Sequence, residues 1–89
     1  MLNLNGKTVV ITGSSRGFGL ELALAVIQAG GQAVISARSQ QAVEDALTKL
    51  TAHDQAAGLA ADVADLNQVR ALSDFAIKTF GHYDVWINN

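Results

Sequence analysis

The chain is 89 residues long, 49% apolar, free of cysteine, and carries a net charge of −2. That length allows one domain at most; the charge offers no basic surface to nucleic acid or to an anionic membrane; and without cysteine there is neither a disulfide framework nor a thiolate metal site. The apolar share is rich for a lone domain of this size, which buries only roughly 60–65% of its unfolded surface, so the chain reads as part of something larger.

The N-terminus "MLNLNGKT" has no basic stretch followed by an apolar one, the pattern of a secretory signal. No apolar run reaches the ~20 residues of a membrane span. The expectation is a cytoplasmic protein with neither a membrane nor a nucleic-acid partner. Proline, low-complexity tracts and linkers are absent, so residues 1–89 read as one unit. The histidines His53 and His82 lie near turn signals and are expected in exposed loops.

In chain order, residues 7–12, "KTVVIT", form a short β-branched run that suits a strand buried on both faces. A glycine-rich loop follows. Then Leu20, Ala23, Leu24 and Ile27 fall at helical spacing, with Glu21 and Gln28 on the wet side. Gly30 and Gly31 stop this first helix. Residues 33–37, "AVISA", predict a second buried strand. Ser39 can cap the second helix, whose stripe is Val43, Ala46, Leu47 and Leu50. A turn around "AHDQ" leads to a third apolar run, "AAGLAADV". Asp65 is expected to cap the third helix, with Gln68 three residues on in a capping-box-like pair. Leu66, Val69, Leu72, Ala76 and Phe80 form its buried side, and Gly81 closes it. "YDVWIN" predicts a fourth strand, with Trp86 and Phe75 as core aromatics.

The order is therefore βαβαβαβ. Strands separated by such helices run parallel, because a parallel crossover needs a dozen or more residues. Right-handed crossovers place the first two helices on one face and the third on the other. The resulting strand order, 3-2-1-4, is the first half of a doubly wound Rossmann sheet in three αβα layers.

The loop "TGSSRGFG" then has a context. Gly13, Gly17 and Gly19 fall within seven residues, after a strand and at the opening of a helix. They sit beside the switch point of the sheet, where open α/β proteins bind ligands. A helix start offers free N–H groups and partial positive charge to a phosphate. Gly13 permits the turn, Gly17 lets the backbone approach a pyrophosphate, and Gly19 lets the helix pack closely. Ser14 and Ser15 can donate hydroxyl hydrogen bonds to the same phosphates. A P-loop is excluded, because no Gly-Lys-Ser/Thr follows. A ligand-free strand–helix turn is the plainer alternative.

The ordinary dinucleotide fingerprint is G-x-G-x-x-G, whereas these glycines are spaced G-x-x-x-G-x-G. In that form the loop resembles the short-chain dehydrogenase/reductase family, whose motif is T-G-x-x-x-G-x-G. "NGKTVVIT" is similar to the family's lead-in to strand one, "ADV" (61–63) to its adenine-pocket motif, and "DVWINN" to the strand entering its N-N-A-G motif. The resemblance covers the whole chain. It implies that Asp62 bonds the adenine amino group and that Val63 lines the adenine pocket. It also implies backbone contact from Phe18, a ribose contact from Asn89, and a role for Asn88 in tying strand four to its neighbours. On residues alone, Asp62 reads equally as a loop acid or a helix cap.

The end of strand two reads the adenosine ribose: an acid there selects NAD and a base accommodates the 2′-phosphate of NADP. Here Arg38 stands at the strand end beside Ser39, and no acid occurs until Glu44. Arg16 can reach the same region from the glycine loop, and two guanidinium forks suit one phosphate dianion. In the family, basic residues at both positions imply NADP(H). The cofactor-binding set is Gly13, Ser14, Ser15, Arg16, Gly17, Phe18, Gly19, Arg38, Ser39, Asp62, Val63 and Asn89; no metal ligands are expected. An S-adenosylmethionine methyltransferase shares the layered sheet but normally shows an acidic G-x-G loop and an acid after strand two, and neither is here.

The resemblance implies hydride transfer between a nicotinamide and a small-molecule carbonyl or alcohol, with a tyrosine of a Y-x-x-x-K pair as proton donor. That pair lies beyond the N-N-A-G motif. The chain's one tyrosine, Tyr83, has Ile87 four residues on, so no catalytic residue is assigned. Two readings remain: the cofactor-binding half of an NADP-dependent oxidoreductase, inactive alone and truncated before its catalytic half, or a non-catalytic nucleotide-binding or assembly module. With strand four as an apolar edge, self-association is expected.

Overall fold

Four short apolar runs that alternate with the helices pair in one sheet, and the central two are buried along nearly their whole length. A computed structural model describes residues 3–50 and 54–89 of the chain; the expectation for His53, and half of the turn around it, lies outside them. The elements are β1 (Thr8–Ile11), α1 (Gly17–Gln28), β2 (Gln32–Ile35), α2 (Gln40–Leu50), β3 (Ala56–Gly58), α3 (Leu66–Phe80) and β4 (Val85–Ile87). The sheet order is β3-β2-β1-β4, as expected. Every pairing is parallel, with Val10 opposite Val34 on one side and Trp86 on the other. No described helix is long and apolar enough to cross a membrane.

Alternation along each strand sends side chains to opposite faces. Val9 and Ile11 of β1, with Ala33 and Ile35 of β2, pack against Ala23, Val26 and Ile27 of α1 and Val43, Ala46 and Leu50 of α2. Val10 and Val34 point the other way and meet Leu72 and Ala76 of α3. Two helices cover one face and the third covers the other, as right-handed crossovers require. Ile11, Ile35 and Leu72 are fully buried, each stabilising the fold by about 1.5–3 kcal/mol relative to an exposed position.

The helix ends follow their local chemistry. Gly30 and Gly31 donate back to Ile27 O and Val26 O, both at 2.9 Å, satisfying two carbonyls that the last turn of α1 leaves without partners. Ser39 Oγ accepts the Ala42 N–H at 3.1 Å at the start of α2. Gly81 closes α3 in the left-handed region, donating to Ile77 O. Asp65 caps α3 by accepting the Asn67 N–H at 2.9 Å. Gln68 pairs with Asp65 differently from a capping box: its Nε2 donates to Asp65 Oδ2 at 3.2 Å, while its Oε1 accepts the Asp62 N–H at 2.7 Å rather than that of Asp65.

Two apolar positions are corrected. Leu24 is exposed and Val26 faces the sheet in its place, because the buried set of α1 runs 19, 23, 26, 27 and its centre lies about a third of a turn from Leu24. Leu66 is 62% exposed; as the first residue of α3 its side chain lies over the turn before the helix, where no strand runs beneath it. Phe75 and Trp86 pack, partly buried, on the α3 face as expected. Tyr83 sits beside them, its ring edge-on to Trp86 at 5.6 Å and its hydroxyl 3.1 Å from Ser73 Oγ.

The sheet is latched at the opposite end from the glycine loop. Asp84 Oδ2 accepts the Thr8 N–H at 2.8 Å, and His82 Nε2 lies 3.0 Å from both Asp84 Oδ2 and Gly6 O. Both neighbours are acceptors, so Nε2 carries the proton. His82 is exposed as expected, yet it ties β4 to the entry of β1. The Thr8 N–H is the main cause that holds the Asp84 carboxyl below its ordinary value of 3.8, aided by His82 and Lys7 and opposed by partial burial. A group whose folded pKa is lowered contributes stability above its unfolded pKa and loses it as pH falls through the folded value. Asp84→Asn is therefore expected to lower stability near neutral pH and to flatten its decline below about pH 4. Urea midpoints measured at stepped pH check this; parallel acid profiles for variant and wild type would refute it.

Candidate functional site

At the carboxyl ends of the strands the chain encloses a cleft of about 490 Å³. Its walls come from four places in the sequence. The glycine loop supplies Thr12, Gly13, Ser15 and Arg16; the end of β2 and the start of α2 supply Ala37, Arg38, Ser39 and Ala42; the segment after β3 supplies Ala61 and Val63; and Asn89 follows β4. Thus the cleft spans the switch point between β1 and β4, as the sheet order demands.

The loop turns because Gly13 and Gly17 hold φ near +60°, a region that residues with a Cβ enter at a cost of roughly 1–2 kcal/mol. Around a Cβ placed on Gly17 there is open space, so the backbone faces outward with nothing of the protein in front of it. Gly19 is different. A Cβ there would lie 2.7 Å from both Gly13 O and Asn89 Nδ2, and 2.8 Å from Ser14 Cα. The third glycine is where the helix start packs on its own loop and on the residue after β4, rather than on the sheet itself. Arg16 at the N-cap is extended and supplies no side-chain acceptor, so the first-turn N–H groups of α1, which have no partner within a helix, stay open to a ligand.

Asn89 is laced to this loop. Its N–H donates to Thr12 Oγ1 at 3.1 Å and its Nδ2 to Gly13 O at 2.9 Å. Thr12 N–H in turn donates to Ile87 O at 3.0 Å. Asn88 does not bridge to neighbouring strands; its Oδ1 accepts the Trp86 Nε1–H of its own strand at 3.0 Å.

Seven of the residues expected to bind cofactor line the cleft: Gly13, Ser15, Arg16, Arg38, Ser39, Val63 and Asn89. Ser14 does not. It is fully buried; its Oγ donates to Ile11 O at 2.6 Å and accepts the Ser36 N–H at 3.0 Å. No hydroxyl remains there for a phosphate, and Ser14 acts as a peg between loop and β2. The Ser39 hydroxyl oxygen accepts the Ala42 N–H to cap α2, and its O–H still has its proton to donate. Phe18 is 67% exposed and does not line the cleft. Asp62 stands beside the cleft rather than in its wall: Oδ1 accepts the Ala64 N–H at 2.9 Å, and Oδ2 lies 4.0 Å from Arg38 Nη2. The expected binding set omitted Thr12, Ala37, Ala42 and Ala61, although Ala61 opens the "ADV" motif. Thr12 was available as the residue before Gly13; Ala37 and Ala42 leave no chemical signature, since their role is to be small. No metal-holding group of three ligands occurs among the described residues.

With this geometry in place, comparison with known proteins is decisive. A family model for short chain dehydrogenase matches residues 7–89. The chain belongs to the short-chain dehydrogenase family. It is 40% identical to the chloroplastic chlorophyll(ide) b reductase NOL of Oryza sativa subsp. japonica, a match covering 91% of this chain and 24% of that protein. Its backbone is similar to the C-domain of a bacterial malonyl-CoA reductase with NADP: TM-score 0.91, 28% identity, covering 97% of this chain and 15% of that one. It is also similar to a 3-ketoacyl-(acyl-carrier-protein) reductase from Brucella melitensis complexed with NADH: TM-score 0.87, 31% identity, covering 94% and 34%. The chain spans about a quarter to a third of the length of the curated relatives it matches. Membership makes it part of an oxidoreductase family that binds nicotinamide cofactors.

The two kinds of glycine separate experimentally. Gly17→Ala is expected to cost about 1–2 kcal/mol from backbone conformation alone. Gly19→Ala, which drives a methyl group into fixed backbone, is expected to cost more, roughly 2–3 kcal/mol with a displaced Asn89. Urea unfolding measures both; equal costs would contradict the packing role of Gly19.

Proposed function

We propose that this chain is the cofactor-binding portion of an NADP(H)-dependent oxidoreductase that acts on a small-molecule carbonyl or alcohol. The observation that carries the reading is that Arg16 and Arg38, distant in sequence, line one cleft. The residues present fit the cofactor. The open N–H groups and the bare backbone at Gly17 suit a diphosphate, and Ala61 and Val63 offer an apolar wall for an adenine. The two guanidiniums suit a 2′-phosphate dianion, since each presents a planar fork of donors. When bound, the nicotinamide supplies or accepts the hydride. The chain's own residues bind and orient: Gly13 to Gly19 hold the diphosphate, Arg16 and Arg38 hold the 2′-phosphate, and Asn89, fixed to Thr12 and Gly13, closes the side toward β4.

Proton transfer is a separate matter. Tyr83 lies on the α3 face with its hydroxyl against Ser73, away from the cleft, and has no lysine four residues later. In this reading the 89 residues bind cofactor without turning over substrate, and the catalytic tyrosine and lysine belong to sequence beyond them. The same fact supports the second reading, a nucleotide-binding module without chemistry.

Replacing a fork that bonds a phosphate costs about 1.5–3 kcal/mol, so Arg38→Asp is expected to lower NADPH affinity roughly tenfold to a hundredfold. NADH affinity should hold or rise. Titrations following nicotinamide fluorescence decide it; an unchanged NADPH-to-NADH ratio would remove the NADP assignment.

We further infer self-association through β4. That strand is an edge of the described sheet, its Val85 is exposed and its Trp86 and Ile87 are only partly covered, and unpaired apolar edges recruit strands from other copies. Light scattering should show dimers or larger species that Val85→Lys disperses; a wild-type monomer at high concentration would exclude this interface.

A further inference from the structure

The more exposed of the two elements that meet at the adenosine end of the cleft carries a base, and the other carries an acid. Arg38 Nη2 and Asp62 Oδ2 are 4.0 Å apart, with the arginine side chain 86% exposed and the aspartate side chain 39%. Pairs this wet usually contribute little, because two long side chains must both give up rotamer freedom. Here one partner is already held. Asp62 Oδ1 accepts the Ala64 N–H, the Asp62 N–H donates to Gln68 Oε1 at 2.7 Å, and its carbonyl accepts the Asp65 N–H at 3.0 Å. Just before it, the Ala61 N–H donates to Ala37 O at 2.8 Å, which ties this turn to the segment that bears Arg38. The carboxylate therefore stands at a set position, and the guanidinium is the arm that moves.

We propose that Asp62 is a specificity-determining residue that competes with the cofactor's 2′-phosphate for Arg38. This rests on the NADP(H) reading above and deepens it. A carboxylate and a phosphate seek the same guanidinium fork. To hold NADPH, Arg38 turns away from Asp62, or else two anions share one cation at short range, where like charges repel. NADH presents a neutral hydroxyl at that point and provokes neither cost. Asp62 thus lowers the preference for NADPH that the two arginines create. The adenine contact implied by family resemblance acts differently, since adenine is common to both cofactors and its loss would weaken them equally.

The test is Asp62→Asn, which keeps an oxygen for the Ala64 N–H and so keeps the turn. Wild type and variant are titrated with NADPH and with NADH. The ratio of NADPH to NADH affinity is expected to rise about two- to fivefold, and this rise should vanish in an Arg38→Ala background. A ratio that stays level or falls overturns the proposal, including the case where both cofactors weaken together. The wild-type ratio judges the NADP(H) reading, whereas the change on substitution judges the competition, so the two can fail separately. A wild-type protein that binds neither cofactor overturns both.

Discussion

The approach of the α1 start to the ends of β1 and β4 is the constraint on which the cleft depends. At Gly19 the helix comes so near Gly13 O, Ser14 Cα and Asn89 Nδ2 that no side chain fits between them. This proximity lets one loop carbonyl, Gly13 O, accept from Asn89 and so bind the residue after β4 to the glycine loop. The first-turn N–H groups of α1 receive no side-chain cap there. A bulkier residue would push the helix outward, and the loop, Asn89 and the positive helix end would lose their mutual placement together.

Behind that contact lies a buried polar bridge. The Ser14 Oγ links Ile11 O to the Ser36 N–H, the Ser14 N–H donates to Ser36 O at 2.9 Å, and Ser36 Oγ donates to Leu59 O at 2.8 Å. Buried polar groups are costly unless partnered, and no buried side-chain polar atom among the described residues lacks a partner. The bridge joins the glycine loop to β2 and to the segment after β3. It therefore relates Arg16 to Arg38 and to Asp62 across otherwise separate elements. The charges of Arg38 and Asp62 sit on exposed arms, and a dry, satisfied network holds the roots of those arms.

The two ends of the sheet do different work. At the amino ends of the strands, Asp84 and His82 fasten β4 to the entry of β1. At the carboxyl ends the chain leaves N–H groups without acceptors and lines the space with small residues. The division follows from parallel strands: every crossover brings a helix start to the same side of the sheet, so partial positive charge gathers there.

Much was legible from the residues alone. Periodicity and turn chemistry determined the βαβαβαβ order, and the short β-branched runs, too apolar to be half-wet, determined that both faces of the sheet are covered. The glycine spacing determined where β1 turns over into α1, because only glycine readily permits those turns and that contact. What tertiary structure alone decided is the direction of particular side chains. Ser14 faces inward because the partners of its hydroxyl, Ile11 O and the Ser36 N–H, are brought together only by strand pairing. Leu24 and Leu66 are exposed because helix rotation and the sheet's extent, not spacing, set which apolar residues are covered. Ala37 and Ala42 of the cleft and the pairing of Asp62 with Arg38 were invisible for the same reason: each depends on how closely two distant stretches of chain approach, and sequence spacing carries no distance between strands.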